Sequence, residues 1–463
     1  MSGQPFALTA REMADAFGGV LGYGAETQPL TTVSIDTRTL VPGDLYVAIR
    51  GPRFDGHAFV AEAIARGAAG VVVSDPAAVT ATHLPVIVVE DTLRGLQEAA
   101  RVIRRRSGST VVAITGSAGK TTTKEITATL LARRFTTFRN RGNLNNHIGL
   151  PLSLFELHSA PQFAVMELGM SGFGEISRLV SIAEPGVRVW TNVGEAHLGF
   201  FSSVDDIAIA KQEILEGATS TDVFIANAGD PRVAARTGGF PGQVITFGVD
   251  VAADVAVTDV QSRGLDGTSA RLSLRGDVHA VETRLLGTAN LANIAAASAV
   301  ALHAGLAADD IVAGIADLAP AAHRGEVVRA PGGWVVVDDA YNSSPSALIK
   351  ALQTLAAAPG RHVVLLGEML ELGDFSDRYH AQCGTVAAEL GVALVVAVGG
   401  SPARALADAA SAGGVRIVHH VADSAAAAAL ARSLVRPGDA VLVKGSRGIR
   451  MEAVVAALTE GAR

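Results

Sequence analysis

The sequence predicts an α/β protein of three domains. Three observations carry this: short apolar runs alternate with Ala-rich helical stretches, 463 residues are too many for one core, and a strand, a glycine-rich loop and a helix succeed one another from Val111 onward. Hydrophobic residues make up 49% of the chain and charged residues 18%, which excludes disorder for most of its length. The formal charge of −7, spread without long single-sign blocks, argues against a nucleic-acid surface. Cys383 is the single cysteine and cannot form an intramolecular disulfide, so a reducing compartment, the cytoplasm, is expected. The opening MSGQPFALTAREMADAF lacks a basic region followed by an apolar one, and later apolar runs are short and Gly-punctuated. Neither export nor membrane insertion is expected.

Taken in order, an amphipathic helix comes first. SIDTRTLVPGDLYVAI follows as a strand-like alternation broken by a turn at Pro42 and Gly43. A helix over Ala58 to Arg66 and apolar strands at Gly70 to Ser74 and Val86 to Val89 complete a small α/β domain, 1–107. The basic stretch RVIRRRSGS reads as a soluble connection. A central domain, 108–320, then begins with strand Val111 to Thr115 and a helical run from Thr122. Strands at Phe163 to Met166, Val187 to Trp190 and Val223 to Ala226, separated by helical pattern, read as a P-loop-type parallel sheet with crossover helices. From Val251 to Leu286 the pattern changes to short alternating segments (VAVTDV, ARLSLRG, HAVETRLLG), an antiparallel patch on that sheet. Helices at Asn290 to Ala304 and Asp309 to Leu318 follow, and Pro320 closes the domain. WVVVDDAY, HVVLLGEM, ALVVAVGG, RIVHH and DAVLVKGS are the strands of a Rossmann-like α/β domain, 321–463.

The sharpest chemical signal is Gly116-Ser117-Ala118-Gly119-Lys120-Thr121 after Thr115. Glycines let backbone N–H groups turn toward phosphate oxygens, the helix N-terminus adds positive potential, Lys120 reaches the β/γ-phosphates and Thr121 suits Mg²⁺. The loop alone leaves kinase, ATPase, transporter and ligase open. Glu167, after FAVM, and His197, after VRVWTNV, stand where the carboxyl ends of strands collect ligands. Both suit a divalent metal, but a helix-capping carboxylate and a satisfied loop histidine explain them equally. Lys211 in DDIAIAKQEILEG reads, in isolation, as a surface lysine. Asn145 and Asn146, in NRGNLNNHIGLP, offer amides for peptide or carboxylate recognition, or simply populate a turn.

ITGSAGKTTTKE, ELG after the next strand and EAHLGFFSSVDDIAIAKQEI together resemble the Mur ligases, the ATP-dependent amide-bond ligases of bacterial peptidoglycan assembly. The resemblance runs along the whole chain. SIDTRTLVPGDLYVAIRGPRFDGHAFVAEAIARGAAGVVV is similar to the UDP-binding domain of members adding the third residue or the final dipeptide. NRGNLNNHIGLPLSL, VVVDDAYNSSPSALIKAL, LLGEMLELGDFSDRYH and LVKGSRGIRMEAVV are similar to dipeptide-adding members. The resemblance implies a cytoplasmic, monomeric enzyme that joins D-alanyl-D-alanine to UDP-N-acetylmuramoyl-tripeptide through an acyl phosphate. The alternatives are a sister ligase adding the third stem residue, a folylpolyglutamate-type ligase or, from another class, a non-enzymatic ATP-binding scaffold.

By position the resemblance gives Lys120, Lys211 and His197 catalytic roles and Thr115 to Thr121 the phosphates of ATP. It gives Thr121 and Glu167 one Mg²⁺ and His197 a part in a second, and makes Lys211 a carbamylated lysine whose carbamate is an anionic metal ligand. Asn293, Arg324, Asp338 or Asp339, and Tyr341 with Asn342 fall to the rest of the nucleotide. Ser34, Thr37 and Arg38 fall to the UDP end, and Lys444, Ser446 and Arg447 to the incoming dipeptide, with the C-terminal domain closing on ATP. Ala289 departs from a histidine common among relatives, and Ser343-Ser344 from Ala-Asn.

Overall fold

Residues 4–51, 54–80 and 82–461 are described by the computed structural model, so the outermost ends of the first and third expected domains lie outside the described residues. Contacts divide the chain into two units: Met1–Thr115 with Arg134–Arg188 and Glu213–Val223, and Gly116–Arg133 with Val189–Gln212 and Phe224–Arg463.

In the first unit, Thr9 and Glu12 form a capping box that starts helix Ala10–Ala16, an arrangement that contributes about 1 kcal/mol. Val33–Ser34, Leu45–Val47, Gly70–Val73 and Val86–Val88 pair in parallel, and Val20–Tyr23 adds an antiparallel edge. Their inward side chains, among them Tyr46, Val71 and Val73, make one buried cluster. The segment expected as a single helix over 58–66 is a 3₁₀ turn, Gly56–Phe59, leading into helix Val60–Ala65.

RVIRRRSGS is not a connection: it completes helix Thr92–Ser107, which Asp91 caps at one end and left-handed Gly108 stops at the other. Arginine is a good helix former, and cations in a last turn complement the helix dipole. Arg104 donates to the carbonyls of Ala183 and Glu184, at 2.8 and 2.6 Å, which gives the basic run tertiary partners. Strand Thr110–Thr115 then runs parallel to Phe163–Glu167, itself parallel to Thr137–Arg139.

In the second unit, Gln243–Val249 pairs in parallel with Val255–Ser262, and antiparallel Thr268–Leu274 and Asp277–Thr283 extend the same edge. The expected antiparallel patch is therefore joined to its sheet through a parallel pair. Helix Gly287–His303 follows, with Ala295, Ala296, Ala297, Ala299 and Ala301 buried alongside Leu291, Ile294 and Val300. The C-terminal sheet runs Glu326–Arg329, Val335–Asp339, Asp439–Lys444, Arg361–Gly367, Leu394–Val398, Ile417–Val421. Its first pair is antiparallel and the rest parallel. Val336, Val363, Val396, Val441 and Met451 center a core covered by Ala-rich helices. The fold is mixed α/β, dominated by parallel sheets, as the sequence predicts.

Candidate active site

The chain leaves strand Thr110–Thr115, crosses Gly116–Gly119 and enters helix Lys120–Leu131. Gly116 and Gly119 have φ of +148° and +81°. A Cβ on Gly116 would lie 1.9 Å from Thr191 Oγ1, and one on Gly119 2.3 Å from Asn293 Oδ1. Both glycines are therefore required twice over, by conformation and by space. The loop is held by the segment after strand Val187–Trp190. Ser117 N–H donates to the Asn192 carbonyl at 3.0 Å and Ala118 N–H to Asn192 Oδ1 at 2.9 Å. Ala118 O accepts from Thr191 Oγ1 at 2.7 Å and Asn192 Nδ2 at 3.0 Å. Thr191 and Asn192 are not among the residues expected from the sequence; their only signal there is a polar pair directly after an apolar strand.

Gly119→Ala should cost roughly 1–2 kcal/mol in left-handed strain and displace Asn293, whose Oδ1 also accepts from Thr123 Oγ1 at 3.2 Å. ADP binding about tenfold weaker or worse is the expected result of titration calorimetry, with the rest of the fold intact by circular dichroism.

Lys120 Nζ donates to Gly116 O at 2.7 Å, so the side chain lies back along the loop. Arg324 Nη2 donates to Thr121 Oγ1 at 2.9 Å, and its guanidinium lies 4.1 Å over the Tyr341 ring, which Arg447 also faces at 5.4 Å. Lys211, on helix Val204–Gln212, is 1% exposed. Burial drives its amine well below the ordinary lysine range, and the positive charge of Lys120 adds to the effect. Among the described residues no carboxylate forms an ion pair with it. His197 Nδ1 lies 2.6 Å from Glu371 Oε2. Burial lowers the His197 pKa, with the charges of Lys120 and Lys211 acting in the same direction against Glu371. Glu371 is held below the usual carboxylate range, chiefly by its bond to His197. His197 contacts Glu371 and feels the charges of Lys120 and Lys211, so the four side chains share one neighbourhood. Glu371 is absent from the sequence-derived site.

In the first unit, Glu167 ends its strand opposite Ile114, two residues before Gly116, and is 4% exposed. Its N–H donates to Asn140 Oδ1 at 3.0 Å, and its Oε1 accepts from Asn145 Nδ2 at 2.9 Å. Asn145 is thus placed beside the carboxylate. Asn146 instead turns its Oδ1 to the N–H groups of Ile148 and Gly149, starting helix Gly149–Phe155. Ser34 bridges its own turn through Asp36; Thr37 is buried. Arg38 is exposed, and its bonds to Asp36 draw that carboxyl down to about 2.

Asp339 and Lys444 are register partners on adjacent strands, and Lys444 Nζ donates to Asp339 Oδ2 at 2.6 Å and to Asn342 O at 2.9 Å. Asp338, fully buried, bonds His323 Nδ1 at 2.7 Å; burial pushes its pKa up while His323 pulls it down. Ser446 Oγ accepts from Leu370 N–H at 2.9 Å, and an Arg447 guanidinium N–H donates to the Tyr341 hydroxyl at 3.2 Å. All of these cluster at or just past the carboxyl ends of the C-terminal sheet, where open α/β sheets bind ligands.

Among the described residues no group of three His, Cys, Asp or Glu side chains converges as a metal cage. Mg²⁺ does not require one, since it is commonly held by one or two carboxylates together with substrate phosphates. The donor types are compatible with such an ion: the Glu371 carboxylate, which only accepts, places the proton on His197 Nδ1 and leaves the lone pair on Nε2.

Residues 29–104 match the Mur ligase family catalytic domain, 114–301 the Mur ligase middle domain and 323–447 the Mur ligase glutamate ligase domain. The chain is 35% identical to the UDP-N-acetylmuramoyl-tripeptide–D-alanyl-D-alanine ligase of Escherichia coli (strain K12), covering 98% of each chain. It superposes on a MurF crystal structure from Acinetobacter baumannii with a TM-score of 0.89, at 32% identity, covering 99% of this chain and 100% of that one. Against the Thermotoga maritima MurF ligase in complex with ADP the TM-score is 0.83, at 29% identity, over 93% and 97% of the two chains. With a glycine loop ahead of Lys120 and matches that run from the first sheet to the last, the chain belongs to the Mur ligase family.

Proposed function

We propose that this enzyme is an ATP-dependent ligase that joins D-alanyl-D-alanine to the free carboxylate of a UDP-N-acetylmuramoyl-tripeptide. The observation that carries the chemistry is the gathering of Lys120, His197 and Lys211 around a phosphate loop. The specificity follows from the end-to-end likeness to ligases of that name. The carboxylate oxygen attacks the γ-phosphorus of ATP and ADP leaves. The dipeptide amine then attacks the acyl carbon, phosphate departs, and the amine gives up a proton.

The loop amides of 116–121 would cradle the phosphates and Lys120 would move from Gly116 O to the β/γ-oxygens, meeting charge as it develops. Thr121 and Glu167 would hold one Mg²⁺, and His197 with Lys211 a second. Bound there, the metal neutralises phosphate charge during transfer. Asn293, Arg324, Asp338 and Asn342 would serve the rest of the nucleotide, and the Arg324 bond to Thr121 supports a C-terminal domain, 321–463, that closes on ATP against a central domain, 108–320. Ser34, Thr37 and Arg38, in a first domain of 1–107, would take the UDP end. Asn145 and Asn146 would meet the peptide, and Lys444, Ser446 and Arg447 the dipeptide carboxylate. The Lys444–Asp339 pair supports a lysine held in place rather than swung in.

Phosphate release from ATP should require both UDP-tripeptide and D-alanyl-D-alanine, and should stay at background with meso-diaminopimelate, lysine or glutamate as acceptor. Turnover with one of those instead would make this a sister ligase. Release without any acceptor would support a simple ATPase.

A further inference from the structure

Glu371 lies 174 residues from His197 in sequence, yet three contacts clamp their loops together. His197 Nδ1 and Glu371 Oε2 are 2.6 Å apart, and Gly199 N–H donates to the Glu371 carbonyl at 2.7 Å. The third is a close approach: a Cβ on Gly373 would lie 2.9 Å from the Gly199 Cα. His197 and Glu371 both have left-handed backbone, φ of +66° and +65°, which a non-glycine residue keeps only where its surroundings impose it. The Glu371 loop is itself anchored on both preceding residues. Met369 N–H donates to His380 Nε2 at 2.8 Å and Leu370 N–H to Ser446 Oγ at 2.9 Å. His380 is fully buried, and its Nδ1 faces the Ser376 carbonyl at 2.7 Å, which fixes the ring.

We infer that Glu371 is a positioning residue for His197, holding the imidazole with Nε2 presented to a divalent cation from a loop that also anchors on Ser446. The inference rests on the reading of His197 as a metal ligand. A carboxylate on the far ring nitrogen fixes the tautomer, orients the ring and raises its basicity, and removing such partners typically costs about 10- to 100-fold in metal affinity or activity. The Ser446 contact ties this device to the segment offered for the dipeptide, so the histidine would be set by the same loop that borders the acceptor.

The test is Mn²⁺ binding followed by electron paramagnetic resonance on the intact enzyme, alongside the Mn²⁺ dependence of turnover. Glu371→Gly removes the carboxylate while accepting the left-handed backbone and keeping the carbonyl that Gly199 uses. It should weaken Mn²⁺ binding about 10-fold or more, with turnover recovering as Mn²⁺ is raised. Glu371→Gln, whose side-chain oxygen still accepts from Nδ1–H, should stay within a few-fold of wild type. Wild-type Mn²⁺ affinity in Glu371→Gly, with binding lost in His197→Ala, overturns the positioning role. Unchanged affinity in His197→Ala overturns the ligand reading itself.

Discussion

Lys120→Ala is expected to lower ligation by about 10²-fold or more, the usual cost of losing a charge aimed at a developing anion. Lys120 is the only cationic side chain within Gly116–Thr121, and it follows directly on the turn that a Cβ on Gly119 would block. Nothing else in the loop brings a full charge to the phosphates. Lys120→Arg should not restore the rate, since a broad planar fork replaces the compact ammonium that lies against Gly116 O at 2.7 Å. Single-turnover formation of ADP at saturating ATP and UDP-tripeptide isolates the first step. Near wild-type turnover of Lys120→Ala there would remove the loop from the mechanism.

What was legible in the sequence was local. The loop reads directly because spacing along the chain dictates it: a strand, two glycines and a helical run, expected from Thr122 and found to start at Lys120. Glu167 reads as a strand end for the same reason, since its pairing with Ile114 extends an apolar run already visible as FAVM. Glu371 and Asn192 were not legible, because each acquires its meaning from a partner far away, His197 for one and the Ala118 amide for the other. Lys444 shows a further limit. A lysine after an apolar strand invites a ligand, but register sets it opposite Asp339 and engages its amine. The arginine run at 104–106 failed differently: polarity suggested a connection, whereas helix propensity and the carbonyls of Ala183 and Glu184 made it the end of a helix.

Lys211 carries the other large expected effect. A lysine buried to 1% exposure with no carboxylate partner among the described residues is costly as a cation, and burial together with Lys120 drives its pKa well down. The neutral amine so favoured is the form that would add CO₂ and lose a proton to give a carbamate, an anion that the positive charge of Lys120 would stabilise and a divalent metal could use as an oxygen ligand. Acidifying the buffer protonates the amine and reverses the addition, so activity should fall on the acid side and recover with added bicarbonate. Lys211→Ala should be folded and nearly inactive, and acetate or another small carboxylate should restore part of its activity by replacing the lost oxygen ligand. Lys211→Arg should stay inactive in the presence of bicarbonate, because a guanidinium keeps the charge but supplies no oxygen. Mass spectrometry under native conditions should show 44 Da, the mass of one CO₂, on the wild type and none on either variant. An Arg variant as active as wild type would make Lys211 an ordinary cation and end the carbamate reading.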